Sequence, residues 1–126
     1  REEGVDFGTH TRHHVSLSHV DADRIRWEIR GSLDDMEREL GVRPRSLAYP
    51  YGLWNPAVAR IAAEEGCALG FTCEHGLNRL GADPLRLRRS TISRRTSPTV
   101  FTVRMLPWFA RIERWRNWGR NGLVTA

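Results

Sequence analysis

Two histidines four residues apart, His10 and His14, are the residues best suited to chemistry in this sequence. They follow an alternating run, residues 5–9, that predicts a short strand. Neutral imidazole is the commonest protein ligand for zinc and its neighbours, and this spacing lets two rings converge on one ion from a helix or a tight loop. The pair therefore predicts a metal site at the end of a strand. Such spacing also arises by chance in a chain with five histidines, so the metal-site prediction depends on the remaining motifs.

A long helix is predicted after the histidines. Ser18 or Asp21 provides the amino-terminal cap, and Gly41 with Pro44 just beyond it predicts an end near Leu40. The apolar residues of this segment recur at the spacing of one buried helical stripe, at Ile25, Ile29, Leu33, Met36 and Leu40.

Strands and helices alternate in the rest of the domain. Residues 46–49 and 68–72 predict strands, and a helix between them begins at the cap Asn55 and ends at Gly66. Residues 87–93 predict a last strand. Short strands that alternate with helices are typical of βαβ units, so the pattern predicts an α/β fold with a parallel sheet or barrel.

The polar motifs follow the predicted strands. In parallel β/α architectures, catalytic groups gather at the carboxyl ends of the strands. His10, the turn Pro50-Tyr51-Gly52 and residues 73–75 each come directly after a predicted strand. We therefore expect these three segments to lie on one face of the domain.

The order and spacing of these motifs resemble those of a known family. The motifs are Gly8-Thr-His-Thr11 with His14 and Leu17, then Leu47-Ala-Tyr-Pro-Tyr-Gly52, then Phe71-Thr72 and Gly76-Leu-Asn78. Over about residues 4–93 they are similar to the second motif onward of the polysaccharide deacetylases, the NodB-homology domains of carbohydrate esterase family 4. The fold that this implies is a partial, distorted (β/α) barrel.

The resemblance implies a chemistry and a set of residues. His10 and His14 would hold a divalent metal, expected to be zinc, together with an aspartate. The substrate would be an acetylated polysaccharide or oligosaccharide that loses N-acetyl or O-acetyl groups. Pro50 and Tyr51 would contact it, and the backbone N–H of Tyr51 would stabilise the oxyanion. Without the resemblance, Tyr-Pro-Tyr-Gly is an ordinary turn.

The sequence departs from the family at several points. The family's Asp-Asp motif, source of the general base and third metal ligand, is expected upstream of residue 1. Asp34 and Asp35 do not replace it, because they lie off the apolar stripe of their helix. Ala48 stands where the family commonly has arginine, and no late motif supplies a general acid, since His75 is expected to be structural or exposed. We expect this chain alone to be an inactive fragment.

Charge and aromatic residues single out the carboxyl-terminal part. The chain has 126 residues, a net charge of +5 and a pI near 10.5, and nearly all the excess lies after residue 85. We assign residues 1–96 to the deacetylase-like domain and residues 97–126 to an amphipathic basic and aromatic helix, kinked at Pro107, that packs Trp108 and Trp115 on the domain.

The alternative function is a non-catalytic module whose tail binds anionic glycan, nucleic acid or a membrane surface. We expect no nucleic acid partner, and contact of the tail with a membrane surface stays open as an alternative. Cys67 and Cys73 bracket a predicted strand that would hold them too far apart for a disulfide, so both are expected to be free thiols. The compartment is left unassigned.

Overall fold

The computed structural model describes residue 4 and residues 6–106. Three α-helices and a small parallel sheet form this part of the chain. They follow one another as α1 (Ala22–Leu40), β1 (Ser46–Ala48), α2 (Pro56–Glu64), β2 (Leu69–Phe71) and α3 (Pro98–Arg104). Short 3-10 turns lie at Leu17–His19, Pro50–Gly52 and Pro84–Arg86. The architecture is therefore mixed α/β, and β1, α2 and β2 form a parallel crossover.

The sheet is extended on both sides by single bridges. Leu47 of β1 lies opposite Gly70 of β2, while Thr9 pairs with Leu47 and Leu87 pairs with Phe71, all in parallel. The Thr9 N–H donates to Ser46 O at 2.8 Å, and the Leu87 N–H donates to Gly70 O at 2.7 Å. Thr9, β1, β2 and Leu87 thus lie side by side with their carboxyl ends at one edge.

Capping residues set the ends of the two longer helices. The Asp21 side chain accepts a hydrogen bond from the Arg24 N–H at the start of α1, and Gly41, with φ of 67°, ends it in the left-handed conformation that glycine adopts without strain. Asn55 caps α2 in the same way, by accepting from the Val58 N–H. Of the two caps predicted for α1, Ser18 and Asp21, the structure uses Asp21, and α2 ends at Glu64, two residues before the predicted end at Gly66.

One hydrophobic core joins both helices to the sheet. Its side chains come from the 3-10 turn before α1, from α1, from β1 and the residue after it, and from α2 and the segment that follows. They are Leu17, Ile25, Ile29, Leu33, Leu47, Tyr49, Val58, Ile61, Ala62 and Cys67. The stripe on α1 fades at its carboxyl end, where Leu40 is 45% exposed. Both cysteines are free, as predicted.

Several predicted strands are shorter in the structure. The predicted strands at residues 46–49 and 68–72 shrink to β1 and β2, because their outer residues make only isolated backbone contacts. Residues 87–93 are not a strand: Leu87 alone bridges to β2, and the Arg89 N–H then turns to Glu74 O at 3.0 Å. Of the predicted strand at residues 5–9, Thr9 alone forms a bridge within the described residues.

Of the predicted carboxyl-terminal helix, residues 97–126, the structure describes residues 97–106, in which α3 ends at Arg104. Ser97 caps α3 by accepting from the Val100 N–H, and Phe101 and Met105 lie 46% and 41% exposed. Trp108 and Trp115, on which the predicted aromatic packing depends, lie outside the described residues. Within the described part, no helix is long and apolar enough to cross a membrane.

Candidate active site

His10 follows Thr9 at the edge of the sheet, and a hydrogen bond fixes the orientation of its imidazole ring. Its Nδ1 lies 2.7 Å from the carbonyl oxygen of Ala48, at the end of β1. Because a carbonyl oxygen can only accept, Nδ1 must carry the proton, and the neutral ring then presents the lone pair of Nε2 on its far side. Such a hydrogen bond to the second ring nitrogen is the usual support of a histidine that binds a metal.

A strained loop brings His14 next to His10. Thr11 and His14 adopt left-handed backbone conformations, with φ of 65° and 53°, which non-glycine residues seldom do. The His14 N–H donates to Thr11 Oγ1 at 3.1 Å. As a result the ring centroids of His10 and His14 lie 4.7 Å apart at an interplanar angle of 66°.

The turn after β1 places a third ring beside the histidines. Tyr51 also has a left-handed backbone, with φ of 58°, and its ring centroid lies 4.7 Å from that of His14. Pro50 is buried, whereas Tyr51 is 63% exposed. The tyrosine ring therefore stands in solvent at the edge of the histidine pair.

Gly52 lets this turn approach the end of β2. A Cβ atom at Gly52 would lie 2.5 Å from both the backbone nitrogen and the Cβ of Cys73. Cys73 is itself exposed, and the Nη2 of Arg89 lies 3.6 Å from its sulfur. The segments that follow Thr9, β1 and β2 thus meet on one face of the domain, where the sequence motifs place them.

The two imidazoles suit a divalent metal as a pair of neutral ligands. Zinc sites of the catalytic type usually combine three protein ligands with an open position. Within residues 6–106, no group of three or more histidine, cysteine, aspartate or glutamate side chains is arranged to hold a metal. His10 and His14 are therefore suited to two of the three ligand positions of such a site.

Asp34 and Asp35 are committed to ion pairs on the surface of α1. Asp35 accepts from Arg12 at 2.6 Å and from Arg38 at 2.9 Å, and the hydrogen bond from Arg12 lowers the pKa of its carboxyl. Asp34 accepts from Arg43 at 2.6 Å. The exclusion of this pair from the site, made from helix geometry, agrees with these contacts.

Two further histidines point elsewhere. The His13 ring stacks on Trp27, with centroids 5.1 Å apart, and its Nδ1 lies 3.2 Å from Glu28 Oε1. His19 is held by Ser16, whose Oγ lies 2.8 Å from its Nδ1. Neither ring joins the pair formed by His10 and His14.

Two residues that support the loop escaped the sequence analysis. Glu28 is fully buried and contacts the backbone of residues 12 and 13, and Ser32 shares a buried 2.6 Å hydrogen bond with Thr9. The sequence does contain a signal that these two residues are buried. Both polar residues occupy positions within the apolar stripe of Ile25 and Ile29, where a solvent-facing side chain is not expected.

Comparison with known proteins points to one family. The sequence profile described as polysaccharide deacetylase matches residues 1–70. A structure of the Streptococcus pyogenes deacetylase PplD in complex with acetate is similar at a TM-score of 0.74 and 30% identity, over 80% of this chain and 45% of that one. The BpsB deacetylase domain from Bordetella bronchiseptica is 32% identical, with a TM-score of 0.53, over 55% of this chain and 26% of that one.

Other relatives extend the likeness. IcaB from Ammonifex degensii shares the fold, with a TM-score of 0.65 and 24% identity over 79% of this chain and 46% of that one. An uncharacterized Bacillus subtilis (strain 168) protein, YlxY, is 31% identical over 64 residues, which are 51% of this chain and 20% of that protein. The chain therefore spans about a fifth of this curated relative and less than half of each of these structures.

Proposed function

The chain belongs to the polysaccharide deacetylase family, and from this we propose that it carries the metal-binding half of a deacetylase site. The reaction is hydrolysis of N-acetyl or O-acetyl groups on a polysaccharide or oligosaccharide. The observation that carries the proposal is the cluster of the His10, His14 and Tyr51 rings at the carboxyl end of β1. The PplD structure holds acetate, which is the product that such a hydrolysis releases.

His10 and His14 are the proposed ligands of a divalent cation, with zinc as the first choice. The hydrogen bond from His10 to Ala48 leaves Nε2 free to bind, and the left-handed backbone of His14 turns its ring toward His10. Bound by His10 and His14, such a cation would polarise the acetyl carbonyl as a Lewis acid and would activate water.

Tyr51 is the proposed contact with the reacting acetyl group. Its backbone N–H would donate a hydrogen bond to the oxygen on which negative charge develops. Buried Pro50 and the approach of Gly52 to Cys73 hold this turn against the domain, so the donor would be positioned before substrate binds. The exposed tyrosine ring offers an apolar surface to a sugar.

The general base and the third metal ligand are proposed to be a carboxylate pair outside the described residues. This follows the family's first motif and the ion pairs that occupy Asp34 and Asp35. Because hydrolysis at neutral pH needs a positioned proton acceptor, we expect the 126-residue chain alone to release no acetate.

Acetate release tests the proposal. The substrate is an acetylated chitooligosaccharide, and the enzyme is the longest natural protein that contains residues 1–126, assayed with zinc. His10→Ala and His14→Ala should each abolish turnover, whereas His19→Ala, a matched control on a histidine held by Ser16, should retain it. Full activity of the His10→Ala and His14→Ala variants would contradict the proposal.

A further inference from the structure

Glu28 has an unusual set of partners for a carboxylate inside a helix. It lies in α1 and is fully buried. Its Oε2 accepts from two backbone N–H groups, that of His13 at 2.8 Å and that of Arg12 at 3.1 Å. Its Oε1 lies 2.7 Å from Nη2 of Arg24. A buried charge persists only with such partners, so this contact is a fixed part of the fold.

The two N–H groups belong to the loop between the proposed metal ligands. That loop has left-handed backbone at Thr11 and His14, on either side of the residues that Glu28 binds. Such conformations are unfavourable for these residue types and persist when surrounding contacts impose them. Glu28 supplies that constraint from a rigid helix.

Other contacts of the loop are weaker supports for its backbone. Asp35 and the Gly31 carbonyl both accept from the guanidinium of Arg12, so these contacts do not hold the main chain directly. Among the described residues, the other side chain that accepts a backbone N–H of the loop is Thr11, which lies in the loop itself. Among the described residues outside the loop, Glu28 is therefore the one whose side chain binds the loop backbone N–H groups.

We propose that Glu28 is a positioning residue for the metal site: its Oε2 binds the backbone between His10 and His14 and thereby sets the approach of the two rings. It acts through the loop and touches neither ring. The inference rests on the proposed role of His10 and His14 as ligands.

Two leucine variants separate positioning from general stability. Glu28→Leu removes both acceptors at similar volume, and Glu65→Leu is the matched control, because Glu65 is also buried and paired with arginines but lies away from the loop. NMR on the chain without metal measures the contact between the His10 and His14 rings, and a zinc titration measures affinity. We expect Glu28→Leu to lose the ring contact and about 10- to 100-fold in zinc affinity. Glu65→Leu should keep both.

Glu28→Gln is the rescue variant. Its amide oxygen can take the place of Oε2 and accept both N–H groups, while the partly exposed Arg24 side chain turns away from the amide nitrogen that replaces Oε1. The ring contact should therefore persist, and the zinc affinity should lie nearer to wild type than that of Glu28→Leu. If Glu28→Leu keeps the ring contact and the affinity, if Glu65→Leu loses them equally, or if Glu28→Gln behaves like Glu28→Leu, the proposal is overturned.

Hydrogen exchange keeps the test valid if the leucine variant does not fold. In the wild-type chain the amides of Arg12 and His13 should exchange much more slowly than the amide of Thr11, and equal rates would overturn the proposal. If zinc shifts neither His10 nor His14 in the wild type, the proposed metal site fails. The ring contact without metal then still tests the role of Glu28.

Discussion

Glu28, which lies in α1, and Glu65, which binds an arginine of α1, are both buried carboxylates, but they have different kinds of partner. Glu65 follows α2 and accepts from Arg30 through both oxygens, at 2.7 and 2.8 Å, so it joins the two helices through side chains. Glu28 accepts from the main chain of a loop. The contact of Glu65 joins α1 to α2, whereas the contact of Glu28 holds the backbone conformation of the loop that carries His10 and His14.

The helix pair held by Glu65 and the loop held by Glu28 share one hydrophobic core. The largest effect on stability should therefore come from Ile29, which is fully buried on α1 beside Glu28. Ile29→Ala should lower the free energy of unfolding by roughly 2–5 kcal/mol, because it removes buried methylene groups and leaves a cavity. Denaturant unfolding measures the loss. Two separate transitions, or stability equal to wild type, would show that the helix pair and the loop do not share a core.

Two glycines sharpen the contrast between site and scaffold. Gly41 and Gly52 both have left-handed φ, at 67° and 70°, but a Cβ at Gly41 meets nothing within 4 Å, whereas one at Gly52 meets Cys73. Gly41→Ala should cost about 1–2 kcal/mol from backbone strain alone. Gly52→Ala should cost more, because the turn must also move away from Cys73. Equal losses in thermal or denaturant unfolding would contradict this packing.

The two cysteines should differ in reactivity, because one lies at the candidate site and the other in the core. Cys73 is exposed beside the turn, while burial raises the pKa of the Cys67 thiol to about 11. At pH 8 a thiol-alkylating reagent should therefore label Cys73 rapidly and Cys67 only slowly, as peptide mass spectrometry would show. Rapid labelling of both in the folded protein would be inconsistent with the buried position of Cys67.

The raised pKa also predicts how stability changes in base. The folded state holds the Cys67 proton more tightly than the unfolded state, whose thiol pKa is near 9.0. This contribution is complete below pH 9 and is lost as pH rises toward 11. Burial raises the pKa of Tyr49 to about 12, so its contribution is lost between pH 10 and 12. Cys67→Ala should show a flatter decline in thermal stability from pH 9 to 11 than wild type.

The smallest effect is expected at Asp35, a partly exposed carboxylate on α1. Its hydrogen bond from Arg12 lowers its pKa, so the pair stabilises the fold above pH 3.8 and this is lost as pH falls further. Asp35→Asn should lower the melting temperature slightly at pH 7, because exposed ion pairs contribute little. The ring contact of His10 and His14 should be unchanged, and its loss would shift the positioning role from Glu28 to the Arg12 side chain.

Local signals predicted α1 and α2 well. Asp21, Asn55 and Gly41 act through neighbours a few residues away, so their sequence positions suffice to place the helix ends. The strands depend on distant partners. Leu87 pairs with Phe71 across 16 residues and then departs, which no local pattern reveals.

The candidate site shows the same division. Sequence spacing brings out His10 and His14, the family resemblance adds Tyr51, and the three rings lie together in the structure. Their supports are non-local: Ala48 O is 38 residues from His10, and Glu28 is 15 residues from the His13 N–H that it binds. An acidic residue in an apolar stripe signals burial, but its partner emerges only from the fold.

Zinc titration of the 126-residue chain, followed through the imidazole nitrogens by NMR, tests the central claim most directly. If His10 and His14 form one metal site, zinc should shift the Nε2 resonance of His10 together with one ring nitrogen of His14, with a single weak dissociation constant, because only two ligands come from the described residues. The resonances of His13 and His19 should stay unchanged. Zinc that shifts His13 or His19 while leaving the pair untouched would contradict the account.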